Sequence, residues 1–470
     1  MNRGRPRAAP RWPFRRIGAA GLPLARAFAC QAQLLPALQD EALFRDPAVA
    51  GALAQAQAAA AAERMHQAEA AFGPTAALTL SKTETRYWEA PAFVLRRFDG
   101  KQAALQINQP LLRTALRPAL DATRAQLQQA EAQLSQARGE ATVRLLEAVF
   151  DLLKARDTLV FARAQRLAAE EQLASARRSF KVGTATVIDV REAEAKIDTV
   201  DAKALAAQAD IDLKHQLVAE LMGRPVPELL ARGLTGERPP QMVAADIAEW
   251  LAEVRLGNPQ LAAARRALEA AEAEIDKARQ GHAPTADLTY NYTMSSDSGT
   301  VTSLFPRRGD ISQVGVNVNI PLFASGATAS RVRETQALRD KVQSDFDAAR
   351  RTVQVAVRQN FTTALSSVGL VRGLETAVHS LEVALQANRR GYEVGMKVNA
   401  DVLESQSRLF ESRRDLSKVR YEAWLSYYRL KSFASRLTGS DMDEFDRLLA
   451  HEVPVPPRGR GRDPKPGLSR

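Results

Sequence analysis

The chain has a single cysteine and no long apolar run, and each scarcity excludes a class of protein. Cys30 has no second cysteine with which to form an internal disulfide, so the fold does not depend on a disulfide framework. No segment reaches the ~18 consecutive apolar residues that a transmembrane helix requires. Any contact with a membrane is therefore expected to be made by strands or by an anchor.

Catalytic and nucleotide-binding motifs are missing as well. The sequence contains no Walker loop, no nucleophile elbow and no glycine-rich dinucleotide loop. The few histidines show no metal-ligand spacing; they are His66, His215, His282, His379 and His451. The sequence predicts no enzyme, no metal site and no cofactor, so the energy for any transport would come from a partner.

The net charge of +11 is concentrated at the two ends. Residues 1–26 carry seven arginines and no acid, and residues 458–470 carry a net charge of +4. The body, 27–457, is formally neutral. A neutral body offers no broad basic surface for DNA or RNA, so we expect no nucleic-acid partner.

Both ends are interpreted as segments outside the fold. Residues 1–29 predict a signal peptide, with arginines followed by an apolar core at 17–25 and an Ala-x-Ala cleavage site at 27–29. Pro23 and Arg26 depart from that pattern, and the alternative is a disordered basic arm. The Pro/Arg/Gly-rich segment 453–470 predicts a disordered basic tail.

The body contains an internal sequence repeat, with an interval of about 212 residues between matching positions. The repeated turn reads "RSFKVGTATVIDVREAEA" at 178–195 and "RGYEVGMKVNADVLESQS" at 390–407. The matching pairs are Phe180 and Tyr392, Val182 and Val394, Gly183 and Gly395, Asp189 and Asp401, and Glu192 and Glu404. This repetition predicts two copies of one unit, at 40–222 and 258–440, joined by the segment 223–257.

Each copy has the pattern helix, strand, strand, long helix, turn, helix. In the second copy, residues 287–294 and 313–320 alternate between apolar and polar side chains, which is typical of strands with one apolar face. The first copy alternates more weakly at 76–88 and 102–108. The long helices are predicted at 118–181 and 327–391, with narrow apolar seams at coiled-coil spacing. Such seams suit helices that pack only along their sides, as in the wall of a hollow tube.

Four strands cannot close a barrel. Open strand edges in a membrane leave unpaired backbone groups, and membrane barrels begin at about eight strands. Closure therefore needs more than one chain. The predicted fold class is mainly α with a β-barrel portion; the alternative is a soluble four-stranded sheet on a coiled-coil stalk.

Over about 40–450 the chain resembles the TolC family of trimeric outer-membrane exit ducts. The resemblance rests on the order of elements, on the repeated aromatic-x-Val-Gly turn with an aspartate six residues after the glycine, and on "NQPLL" and "NIPLF" after the inner strands. It implies a twelve-stranded barrel made by three chains, a helical tunnel in the periplasm, and an equatorial belt that includes 223–257.

The family also implies partners. The chain would assemble as a homotrimer and would contact outer-membrane lipid, a periplasmic adaptor, an inner-membrane ABC transporter and an exported protein cargo. The resemblance is nearest to the branch that serves type I protein secretion, such as the duct of an adenylate cyclase–haemolysin toxin. The alternatives are the duct of a drug or metal efflux pump and, from another class, a soluble coiled-coil scaffold protein.

The resemblance assigns roles to the two turns. The periplasmic gate would carry an acidic ring of Asp401 and Glu404, which share a helix face. A latch between hairpins would use Asp189, Tyr392 and Lys397. The adaptor would dock on the tips, which are Val182, Gly183, Thr184, Val394, Gly395 and Met396.

This sequence departs from the family pattern at three positions. Glu404 replaces an aspartate, Lys397 replaces an arginine, and Ile188 stands where the family has a hydroxyl residue. Lysine lacks the two-pronged guanidinium, so the latch is expected to be weaker. From the residues alone, a structural role stays open: glycines that end helices, and acids such as Asp189, paired with Thr186 in a capping box, in the first turn of the next helix.

Overall fold

A computed structural model describes residues 34–89, 94–227, 229, 232–233, 240, 246–299, 303, 305–449 and 451–452. The predicted signal peptide 1–29, Cys30 and the predicted tail 453–470 lie outside the described residues, and the linking segment 223–257 is described only in part.

The helices follow the predicted repeat, with one extra helix at each end. In chain order they are α1 Leu34–Arg45, α2 Pro47–Ala70, α3 Leu116–Lys181, α4 Val187–Met222, α5 Ile247–Gly257, α6 Pro259–Arg279, α7 Ala327–Glu393, α8 Asn399–Phe433 and α9 Gly439–Leu448. At ~1.5 Å per residue, α3 and α7 are each about 100 Å long. No helix of the described residues combines the length and the apolar character needed to cross a membrane.

The four predicted strands are present and form one antiparallel sheet. They are β1 Thr75–Glu89, β2 Val94–Leu112, β4 Thr285–Asp297 and β5 Arg307–Asn319, in the order β1-β2-β4-β5. A separate two-residue pairing joins β3 Arg232–Gly233 to β6 His451–Glu452. The strands run further than the alternation predicts, because charged residues continue β1 and β2 towards their connecting loop.

The strand register aligns the apolar residues of all four strands on one face. Tyr290 pairs with Ile107 of β2 and Val314 of β5, and Leu105 pairs with Leu78 of β1. Side chains alternate across a sheet, so the other face carries the intervening residues. Between the row that contains Thr75 and the row that contains Ser81, that other face carries no charged side chain.

The helix α3 lies in the middle of the helical part. Beside the sheet it packs between α2 and α6, and in its distal half between α4 and α8. Antiparallel contacts fix the register with α8: Arg429 donates to Glu147 at 2.7 Å, and Gln165 donates to Ser407 at 3.1 Å. A neighbouring helix therefore lies on each side of α3 along its length, as the narrow seams predict, and α1 also packs on it.

The helix α7 is an edge element. It packs on α6 beside the sheet and on α8 beyond it. Its outer surface leaves several large apolar side chains exposed, which are Leu338, Val355, Leu365, Leu370 and Val383. At the opposite edge, α4 exposes Leu205, Leu213 and Leu217. The helices form two layers, α2-α3-α6-α7 beside the sheet and α4-α3-α8-α7 beyond it. Both layers and the sheet end on the same two sides. One side is formed by β5 with α7, and the other by β1 with α2 and α4.

A compact core forms where α1, α3, α4, α8 and α9 meet. Phe150 contacts the ring of Phe445 edge-on at 4.7 Å between centroids, and Tyr421 and Tyr428 complete this aromatic cluster. Truncating a buried phenylalanine in such a cluster costs about 3–5 kcal/mol. The core fixes the long helices of both repeats to one another, and α1 and α9 cover its surface.

Candidate functional site: the tips of the two helical hairpins

The two repeated turns have the same backbone. Gly183 has φ of 79° and Gly395 has φ of 78°, the left-handed region that glycine adopts without strain. In each turn the glycine N–H bonds to a carbonyl three residues back, Phe180 O or Tyr392 O, at 3.1 Å. The predicted left-handed glycines are confirmed. Apart from each glycine and its two chain neighbours, no atom of the described residues lies within 4 Å of where a Cβ would stand at either position.

The tips expose apolar side chains. Val182 is 75% exposed, Val394 66% and Met396 79%. Further apolar residues around them are also exposed, and these are Phe180, Val187, Ile188 and Val398. Large contiguous apolar surface on a protein marks an interaction site more often than isolated apolar residues do.

The helices after the two turns are capped differently. In the first repeat, Thr186 and Asp189 form a reciprocal capping box, and Asp189 Oδ2 accepts hydrogen bonds from Thr186 N and Oγ1 at 2.8 Å each. In the second repeat Val398 occupies the position of Thr186 and makes no side-chain cap. The capping interpretation therefore holds for Asp189, whereas its counterpart Asp401 is released from that role.

Asp401 and Glu404 lie on α8 with cations beside them. Lys397 Nζ is 3.6 Å from Asp401 Oδ2, and Arg408 is hydrogen-bonded to Glu404. The half-buried Lys196 of α4 also lies near: burial and the charge of Lys203 lower the pKa of Lys196, while Glu411 and Glu404 oppose that shift. Local cations thus offset part of the negative charge of the two acids.

The structure does not bring the three predicted latch side chains into hydrogen bonds with one another. Asp189 is engaged in its cap and Lys397 lies beside Asp401, packing closely over Gly391. The hydroxyl of Tyr392 is buried, and no hydrogen-bond partner for it lies among the described residues. Within one chain, the aromatic ring is held mainly by packing against the α7–α8 seam.

A different set of polar residues joins the two hairpins, and the sequence prediction missed it. Asn399 is fully buried; it donates from Nδ2 to the backbone carbonyl of Asp189 at 2.9 Å and accepts from Gln172 Nε2 at 2.6 Å. Gln172 lies between the buried Ala169 and Ala176 of α3. A glutamine in an alanine seam is the signal that could have located this contact, because a buried amide needs a partner.

The duplicated hairpins, the apolar tips and the open amphipathic sheet define the class of outer-membrane export-channel folds. The chain belongs to the outer membrane efflux protein family, whose sequence profile matches residues 38–224 and 250–434. These two matches cover most of both repeats.

Named relatives agree with that family. The chain is 29% identical over 282 residues to the outer membrane protein TolC of Vibrio cholerae, covering 59% of this chain and 64% of the relative. It is 27% identical over 281 residues to the proteases secretion protein PrtF of Dickeya chrysanthemi, covering 59% of this chain and 60% of the relative. The chain thus spans about 60% of the length of the curated relatives it matches.

Solved structures show the same fold. CusC, which forms a transmembrane channel, superimposes with a TM-score of 0.72 at 18% identity, covering 85% of this chain and 91% of that one. The predicted TolC-family resemblance, fold class and outer-membrane localisation are confirmed.

Proposed function

We propose that the protein is a passive outer-membrane exit duct of a tripartite export system, formed by three copies of the chain. The observation that carries this proposal is that the open edges of the sheet and of the two helical layers lie on the same two sides of the chain. The sheet and both helical layers all end at β5 with α7 on one side and at β1 with α2 and α4 on the other. One cyclic contact between copies would close all three layers at once.

Closure would also explain the exposed apolar surface. The aligned apolar face of the sheet would lie against lipid, and the polar face, uncharged between the rows of Thr75 and Ser81, would line the lumen. The apolar side chains on the outer surfaces of α4 and α7 would pack between copies. Three chains of four strands give a twelve-stranded barrel, wide enough to leave an aqueous channel where an eight-stranded barrel would be filled by side chains.

We assign the cargo to protein secreted by a type I route. Support comes from the relative that is named a proteases secretion protein. The chain carries no nucleotide-binding motif, so an inner-membrane ABC transporter and a periplasmic adaptor would supply the energy and the connection. The second candidate is the duct of a drug or metal efflux pump, which the description of the matching family favours.

The tips would dock the adaptor through Val182, Gly183, Thr184, Val394, Gly395 and Met396. The strong exposure of the apolar side chains of Val182, Val394 and Met396 supports this assignment. Threefold repetition of Asp401 and Glu404 would place six carboxylates at the narrow end, favouring cations there. Lys397 and Arg408 would moderate that field rather than cancel it, since exposed ion pairs are screened by water.

A latch of Asp189, Tyr392 and Lys397 would hold the hairpins together. The buried hydroxyl of Tyr392 supports a contact that needs the assembled form, because a buried donor without a partner is costly. Tyr392→Phe and Asp189→Ala should each raise single-channel conductance without changing ion selectivity, and Lys397→Ala should raise conductance less.

The defining experiment is the assembly state. Detergent-solubilised protein should contain three chains by light scattering and should conduct ions in planar bilayers. A monomer that stays in solution without detergent would contradict the proposal. Deleting the gene then separates the candidates: a secreted protein retained inside the cell supports the type I route, and sensitivity to drugs or metals with normal protein secretion supports efflux.

A further inference from the structure

The membrane-facing side of the sheet carries a row of cations immediately beyond its apolar band. Lys82 of β1 pairs in register with Lys101 of β2, Lys101 pairs with Ser296 of β4, and Ser296 pairs with Arg308 of β5. These residues therefore form one straight row across all four strands. The row that adjoins it on the helix side contains Leu80 and Met294, both exposed, which belong to the apolar face, and it ends on β5 at Asp310.

The cations of this row surround a cavity. It is about 600 Å³ in volume and open to the outside, and the three cations and Ser296 line it together with Leu80 and Met294. One acid, Asp310, also borders the cavity. No ion pair joins Lys82, Lys101 or Arg308 to a carboxylate within 4.0 Å among the described residues.

The pairing of the two lysines is unfavourable without an anion. Like charges placed directly opposite on paired strands destabilise a sheet, and Lys82 lies directly opposite Lys101. Isolated lysines at a membrane surface extend their side chains into water, but a row of three cations around one cavity goes beyond what that requires. A phosphate group in the cavity would accept hydrogen bonds from the cations and from the Ser296 hydroxyl.

The neighbouring acids set the outer limit of the site. Glu84 and Asp99 face each other in the next row towards the strand loops, and Glu84 is already bonded to Arg86 at 3.0 Å. Their negative charge would repel a phosphate that moved further out. Acids therefore border the row of cations on both sides, with Glu84 and Asp99 towards the strand loops and Asp310 on the helix side.

We propose that this row binds the phosphate-bearing headgroup of a lipid whose acyl chains lie on the apolar band. The site is at the end of the sheet that is remote from the helices. Since the helices lie in the periplasm under the proposed function, the lipid would belong to the outward-facing leaflet. The proposal rests on that function, and it adds a ligand of defined chemistry. A polar site directly beside an apolar face fits a lipid better than it fits a free anion.

The test uses the full-length protein in phosphatidylcholine nanodiscs with and without bis-phosphorylated lipid A. Retained lipid is counted by native mass spectrometry, and the affinity is measured by titration. The triple variant Lys82→Gln, Lys101→Gln, Arg308→Gln should bind lipid A on the order of 100-fold more weakly, since each surface cation contributes roughly a fivefold factor to binding an anionic lipid. Arg307→Gln is the matched control, because Arg307 is adjacent in sequence but lies on the opposite face.

The outcomes separate the sources of the phosphate. Lipid A from which both phosphates have been removed should bind no better to wild type than to the triple variant. Equal competition by inorganic phosphate and by lipid A would overturn the lipid assignment, and unchanged lipid A binding by the triple variant would overturn the site. If the triple variant does not insert, lipid A binding is measured for the single variants Lys82→Gln and Lys101→Gln. Each is compared with Arg307→Gln, and binding equal to that of this control would overturn the site. Channel conduction in the same nanodisc lipids reports separately on the proposed function.

Discussion

The two hairpin tips share the same backbone conformation, but their equivalent aspartates make different contacts. Asp189 is held in a capping box with Thr186, whereas Asp401 follows Val398, has no cap to make and lies beside Lys397. The change from Thr186 to Val398 at the equivalent position thus leaves one aspartate in a helix cap and the other in an exposed ion pair. Sequence equivalence between repeats therefore does not imply equivalent function.

The largest effect is expected from bulk at the tips, and it tests whether the two turns share one role. Gly183→Trp and Gly395→Trp should each abolish export while leaving insertion in the outer membrane intact. Gly183→Ala and Gly395→Ala are the controls, since they impose the same left-handed backbone strain of about 1–2 kcal/mol without the bulk. Normal cargo secretion by both tryptophan variants would show that the tips are not the docking surface.

The next prediction concerns the released acid. Asp401→Ala with Glu404→Ala should remove cation selectivity and the block of the pore by multivalent cations, because the ring loses its carboxylates. Lys397→Gln with Arg408→Gln should strengthen both properties, since those cations offset the acids. Reversal potentials under a salt gradient measure the effect. Wild-type selectivity in the double alanine variant would leave the two acids as helix-end residues only.

Exchanging the capping residues should change the second tip more than the first. Val398→Thr should build a capping box with Asp401, stabilise α8 by up to about 1 kcal/mol and reduce cation selectivity because the carboxylate is now engaged. Thr186→Val should cost about 1 kcal/mol and leave selectivity unchanged. Thermal unfolding and reversal potentials are measured on the same samples. If Val398→Thr has no effect on either property, the difference between the tips has another cause.

The smallest effect concerns an acid far from the tips. Burial raises the pKa of Asp157, although hydrogen bonds from Ser417 and Tyr421 and the charge of Arg156 oppose that shift. Its folded pKa lies above its unfolded pKa, so its contribution to stability is fully present below the unfolded pKa and is lost as pH rises through the folded pKa. The thermal midpoint of wild type relative to Asp157→Asn should therefore fall slightly from acidic to neutral pH. A difference between the two proteins that does not vary with pH would contradict this.

The sequence predicts the repeated part of the molecule well and its contacts between repeats poorly. Alternation located the four strands, and the glycine pattern located both turns with their backbone conformation. The helices α1 and α9 were missed because they have no counterpart in the repeat and are stabilised by the central core. The contact of Gln172 with Asn399 was missed because a polar residue in a sequence pattern indicates solvent, whereas here each amide is the partner of another buried amide.

Under the proposed function, the uncharged part of the polar face, between the rows of Thr75 and Ser81, would affect which cargoes can pass. Amide and hydroxyl groups carry no net charge, so they do not bind acidic or basic segments of a passing chain by electrostatic attraction. The lumen wall would therefore not discriminate between cargoes of opposite isoelectric point. Cargo recognition would then depend on the protein that docks on the hairpin tips and delivers the cargo. Two export systems with dissimilar cargoes could share this conduit by exchanging only the protein that docks on its tips.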